Sequence, residues 1–160
     1  MGYGLPAALG AQVAHPDKTV VCISGDASVL MNIQELATAR QHKLPVKLII
    51  SNNGYMGMVR QWQQLNHGSS RYSHSYTDSL PDFVALATSF GWDAARVTDP
   101  KELAQALKTC MESEGPYLLD VAVSAQENCF PMIATGAGHH EMMRDEQQMY
   151  LNSASDASGA

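Results

Sequence analysis

Four stretches of the chain are almost unbroken in apolar character: residues 19–24 (TVVCIS), 46–51 (VKLIIS), 92–97 (WDAARV) and 116–123 (PYLLDVAV). The second and fourth, nearly continuous in Val, Ile and Leu, predict strands covered on both faces. The third is the weakest match. Between them the period lengthens. Over 28–42, Val29, Ile33 and Leu36 recur at helical spacing, reinforced by Leu30 and Ala37. Over 80–90, Ser79-Leu80-Pro81-Asp82 supplies a cap, an early proline and an acid in the first turn, and Gly91 a stop. Over 100–113, Asp99-Pro100-Lys101-Glu102 reads as a capping box with proline at the first helical position. Leu103, Ala106, Leu107 and Cys110 form the buried stripe of that helix, and Gly115-Pro116 ends it. The N-terminal LPAALGAQVA predicts a helix of small residues packed closely on a neighbour.

Strands alternating with helices predict an α/β fold, a mainly parallel sheet flanked by helices. In such sheets ligands sit beyond the C-terminal ends of the strands. Residues 1–144 read as one domain. The polar, aperiodic segment 66–80 reads as a long loop, and the tail 145–160, without a core pattern, as frayed.

Composition narrows the partners. The 160 residues, 45% hydrophobic and 16% charged, suit one globular core. A formal net charge of −6 without any basic run argues against nucleic acid and anionic membranes. No apolar run approaches the roughly 18 residues of a membrane span. Cys22, Cys110 and Cys129 lie far apart, without CxxC or zinc spacing. Cys22 falls in a strand run and Cys110 on a helix stripe, so both are expected to be buried, reduced thiols, consistent with a cytoplasmic setting.

Candidate chemistry centres on SGDAS, residues 24–28, and SNNG, residues 51–54. Each alone is explained by turn residues. Together they place Asp26 and, 27 positions later, Asn53 just past two strand ends. That interval fits one helix and one return strand. Magnesium takes oxygen ligands and often holds a diphosphate with few protein groups. One Asp, one Asn and a backbone carbonyl would serve. Ala27 and Ser28 open the following helix, where free N–H groups suit phosphate oxygens and Ser28 suits an N-cap or a phosphate contact.

GDAS followed by MNIQELATA, LPVK and NN resembles the diphosphate-binding motif of thiamine-diphosphate enzymes. With MGYGLPAALGAQ, GMVRQWQ, LPDFVALA and FPMIATGAG, it looks like the C-terminal domain of the catalytic subunit of acetolactate synthase (acetohydroxyacid synthase), from Met1 to about Met143. The resemblance implies thiamine diphosphate and Mg2+. Asp26 and Asn53 match the side-chain magnesium ligands, and Tyr55 the position whose backbone carbonyl completes them. Gly25, Ala27 and Ser28 match diphosphate contacts. Met1 matches a methionine that props the bent cofactor, and Met58 matches a position lining the thiamine pocket. Trp62 matches a tryptophan of the second-substrate pocket that favours 2-ketobutyrate over pyruvate. Ala27 departs from the family's glycine, which is harmless if the residue is already helical.

The implied reaction condenses pyruvate with pyruvate or 2-ketobutyrate, with loss of CO2, in branched-chain amino-acid synthesis. The family's activating glutamate belongs to an N-terminal domain and FAD is held mainly by a middle domain. No catalytic residue is assigned in this chain, which reads as an inactive fragment when isolated. A homodimer or tetramer and a regulatory subunit are expected of the complete enzyme. Two other readings stay open: another thiamine-diphosphate 2-keto-acid decarboxylase or carboligase, and a non-catalytic interaction domain.

Other motifs read blandly. GYGLPA lacks the preceding strand and third glycine of a dinucleotide loop. His139-His140-Glu141 has the wrong spacing for a metal and reads as a polar turn. His67 and His74 read as solvated loop residues. Met31, Met56, Met132, Met142 and Met143 read as packing. From the residues alone, Trp62 reads as a core residue of a GMVRQWQQL helix.

Overall fold

The computed structural model describes residues 1–67, 75, 77 and 79–145. The chain divides into two compact units: residues 1–54 with 77–124, and residues 55–76 with 125–160.

The first unit is a four-stranded, wholly parallel sheet. Its strands are β1 (Val21–Gly25), β2 (Lys47–Asn52), β3 (Asp93–Val97) and β4 (Tyr117–Ala122), in the order β1-β2-β4-β3. The fold class is the one the alternating pattern predicts, and the two most apolar stretches are the two central strands. Side-chain alternation splits the core in two. Leu48, Ile50 and Leu118 point to one face, where they meet α1 (Gly4–Ala14), α3 (Glu35–Gln41) and α5 (Phe83–Ser89) through Leu5, Leu9, Leu36, Ala39, Phe83 and Ala87. Leu119, Tyr117 and Val97 point to the other, packed on α6 (Leu103–Glu112) through Cys110. Edge strand β1 leaves Val21 and Ile23 exposed.

Several local expectations change. The single helix over 28–42 is broken into α2 (Asp26–Val29), a 3-10 turn (Leu30–Asn32) and α3. Ala39, not Ala37, is buried. The next helix starts later, because Asp82 is itself the cap, accepting from the N–H of Val84 and Ala85. Asp99 caps a 3-10 turn through Lys101 N before α6 begins, so the box-like sequence is a one-sided cap. Gly91 does stop α5, at φ 77°. Cys22 and Cys110 are buried and their thiols are pushed up by that burial, whereas Cys129 is exposed.

At the N-terminal edge of the sheet, buried Lys47 gives all three of its protons to the C-terminal end of α6. The acceptors are Ser113 O (2.7 Å), Ser113 Oγ (2.7 Å) and Gly115 O (2.6 Å). Burial pulls the ammonium below the ordinary lysine value, while the nearby Cys110 and Asp93 oppose that shift.

In the second unit, α4 (Gly57–His67) extends into the segment expected to be loop, so His67 is its exposed last residue. His74 and the tail beyond Asp145, expected from the sequence to fray, lie outside the described residues. Among the described residues no helix is long and apolar enough to cross a membrane.

Candidate functional site

The C-terminal ends of β1 and β2 are neighbours, with Gly25 in register with Ser51. Gly25 has extended backbone (φ −79°, ψ 160°) and caps α2, whose first residue is Asp26. Asp26 is 1% exposed. Its Oδ1 accepts from the N–H of Ala27, and its Oδ2 from the N–H of Gly54 at 2.7 Å. Gly54 reaches that position because β2 ends in a turn in which it adopts φ 70°, a left-handed conformation costly for other residues. The turn is closed by Thr77 N–H donating to Gly54 O. Asp26 is thus the clasp between two strand ends, and Asn53 directly precedes the clasped Gly54. Ala27 is the second residue of α2 and has no positive φ, so the alanine in place of the family's glycine carries no backbone strain. A Cβ at Gly25 would meet nothing within 4 Å, so the strand end opens on free space.

Ser28 is not an N-cap: it is the third residue of α2. Its Oγ accepts from Gly2 N–H at 3.1 Å. Asn32 completes the hold, its Nδ2 donating to Gly2 O at 2.6 Å. Met1 is therefore carried beside α2 and the 3-10 turn that follows it, and is 66% exposed. Met31 does not pack in the core as expected; it is half exposed and borders Gly2.

One buried carboxylate escaped the sequence reading. Asp120, in β4, is fully buried on the face carrying Ile50 and Arg96. Its Oδ1 accepts from Asn52 Nδ2 at 2.9 Å, one residue before Asn53. Arg96 Nη1 approaches Oδ2 at 3.0 Å, but off the N–H direction, so the contact is an ion pair without a directed hydrogen bond. Burial pushes the Asp120 carboxyl up. Asn52 and Arg96 oppose that, while the negative charges of Asp26 and Asp82 add to it. The signal for Asp120 was a lone charge inside an apolar strand run. The signal for Gly54 was the Asn-Asn-Gly turn itself.

Tyr55, Met58 and Trp62 belong to the second unit. Here α4 is turned polar side inward: Arg60, Gln61 and Gln64 are buried, Met58 and Val59 are exposed, and Trp62 is half-buried rather than core. Gln61 pairs with the backbone of Cys129 in both directions, accepting from its N–H (2.8 Å) and donating to its C=O (3.0 Å). Arg60 Nη2 donates to Glu127 O (2.8 Å) and Asn128 Oδ1 (2.7 Å), and its guanidinium lies 5.9 Å from the Tyr55 ring centre. His139-His140-Glu141 is an exposed 3-10 turn, and no His/Cys/Asp/Glu group able to hold a metal occurs among the described residues.

These observations define an α/β protein whose polar machinery gathers at the C-terminal edge of a parallel sheet, where a buried carboxylate clasps an Asn-Asn-Gly turn. The chain belongs to the family described as thiamine pyrophosphate enzyme, C-terminal TPP binding domain, which matches residues 1–121. It is 52% identical over 144 residues to the acetolactate synthase large subunit of Porphyra purpurea, covering 89% of this chain and 24% of that protein. It is 48% identical over 143 residues to the acetolactate synthase isozyme 2 large subunit of Escherichia coli (strain K12), covering 89% of this chain and 26% of that protein. Among solved structures it resembles the Rhodococcus jostii RHA1 thiamine diphosphate-dependent 4-hydroxybenzoylformate decarboxylase. That match has a TM-score of 0.72 and 34% identity, over 80% of this chain and 24% of that one. The chain spans about a quarter of the length of the curated relatives it matches.

Proposed function

We propose that this chain is the diphosphate- and magnesium-binding domain of an acetolactate synthase. Asp26 and Asn53 would be the side-chain magnesium ligands and the Tyr55 carbonyl a third. Each Asp26 oxygen accepts one backbone N–H and keeps a lone pair directed elsewhere, which fits a carboxylate shared between fold and metal. Gly25, Ala27 and Ser28 would meet the diphosphate, Met1 and Met58 the thiamine, and Trp62 the second 2-keto acid. When bound, thiamine diphosphate supplies an electron sink for decarboxylating a 2-keto acid. The chain's own part is to neutralise and orient the diphosphate. The wider reaction would be condensation of pyruvate with pyruvate or 2-ketobutyrate, using domains, FAD, further subunits and an activating glutamate supplied from outside these residues.

The single observation behind this reading is the Asp26–Gly54 clasp at adjacent strand ends, taken with 47–53% identity to acetolactate synthase large subunits. A second reading, a decarboxylase of another 2-keto acid, draws on the 34% identity to the 4-hydroxybenzoylformate enzyme and is the weaker by that margin. The test is a melting experiment. Thiamine diphosphate with Mg2+ should raise the melting temperature of the chain, by linkage worth about 2.7 kcal/mol at a hundredfold excess over Kd. Asn53→Ala should abolish the rise. A rise of the same size without magnesium would count against the assignment.

A further inference from the structure

Gly2 is held at both ends of its peptide. Its N–H donates to Ser28 Oγ at 3.1 Å, and its carbonyl accepts from Asn32 Nδ2 at 2.6 Å. Its φ is +76°, and a Cβ there would lie 2.9 Å from Asn32 Nδ2 and 3.1 Å from Met31 Cβ. The position therefore requires glycine twice over, by conformation and by space. The two clamping side chains sit four residues apart on the stretch that runs from Asp26 through α2 into the 3-10 turn. Side chains four apart share a face of such a stretch, so they grip one dipeptide together. What they hold in place is Met1, exposed and directly preceding the clamped glycine, beside a second exposed methionine, Met31.

We propose that Ser28 and Asn32 are positioning residues that fix Met1 relative to the diphosphate anchor, so that one short segment sets both the phosphate and the ring contacts of the cofactor. This rests on the anchor reading above. Ser28 has one hydroxyl proton, and its oxygen already accepts from Gly2. Its proton remains to be given to a phosphate oxygen, which makes Ser28 the shared element of the two halves. Asn32 serves the ring half alone. Gly2 and its two partners thus do for an exposed methionine what a rigid scaffold does for a loop residue: they lower the ordering cost of the binding step.

The experiment separates the halves with two probes, magnesium pyrophosphate and magnesium thiamine diphosphate, titrated into the 160-residue chain. Asn32→Ala should bind pyrophosphate within about twofold of wild type and thiamine diphosphate about tenfold more weakly. Gly2→Ala should show the same split by a different route, and retained pyrophosphate binding reports that each variant is folded. Ser28→Ala should weaken both probes. Equal losses for both probes in Asn32→Ala and Gly2→Ala, or no loss for either, would overturn the positioning role while leaving the anchor standing. A wild-type chain that binds neither probe would overturn the anchor and the inference with it.

Discussion

The sheet unit and α4 bury opposite kinds of surface. In the sheet, Leu48, Ile50, Leu118 and Leu119 are fully buried and, Asp120 apart, the central packing is apolar on both faces. In α4, the buried residues are Arg60, Gln61 and Gln64, held by directed hydrogen bonds to residues 127–129, and the exposed ones include Met58 and Val59. The first arrangement draws its stability from area removed from water, a non-directional effect. The second gains little net energy per bond but loses much when one partner goes, so it fixes a single rotation of the helix. That rotation presents Met58 outward. An apolar pair left exposed by a polar core is the opposite of an ordinary amphipathic helix.

Substitutions can break this contrast, and the largest effect belongs to the sheet. Leu118→Ala, in the centre of β4, should destabilise the first unit by about 3 kcal/mol, read by denaturant unfolding. Gln61→Leu is nearly isosteric and would strengthen an apolar core. Here it should cost about 1–2 kcal/mol, because it strips the N–H and C=O of Cys129 of their partner. Hydrogen exchange at the Cys129 amide should accelerate while the amides of β2 and β4 stay protected.

Asp120→Asn should move the other way. The native carboxyl is pushed above the ordinary value of 3.8, so it holds its proton to higher pH than the unfolded chain does. Stability is lost as pH rises from that value through the raised native one, and above it the full cost of a buried charge remains. The amide should therefore raise the melting temperature at pH 7. That gain should vanish below the unfolded value. Loss of the Arg96 contact costs little, since that side chain is half exposed. Smallest of all, a thiol reagent should modify Cys129 in the native chain and leave Cys22 and Cys110 unreacted until unfolding.

The same contrast governs what the sequence disclosed. The sheet, its central strands and its parallel sense were legible because apolar runs bounded by Gly and Pro have few other uses. That Asp26 and Asn53 each follow a strand end was legible because their spacing matches one strand–helix–strand passage. The break between α2 and α3 was not, since the stripe Val29, Ile33, Leu36 fits a continuous helix equally well. Met31 was misjudged for a related reason: its exposure follows from the 3-10 turn, which no period announces. Nor was the buried face of α4 legible. Arg and Gln at helical spacing read as a solvated side, and only the backbone of 127–129 running beside them reverses that. Gly54 stood in plain view as a turn residue, but its N–H bond to Asp26 depends on the neighbouring strand end.

Asp26 is proposed to join a metal to a diphosphate while clasping the β2 turn. Titration calorimetry of thiamine diphosphate into wild type and Asp26→Asn, each with magnesium and with chelator, tests it directly. The amide keeps the side-chain shape and one acceptor oxygen but removes the charge. Binding should be seen only for wild type with magnesium, and the amide variant should lose at least about a hundredfold in affinity. Magnesium-dependent binding of equal affinity in both proteins would contradict the account.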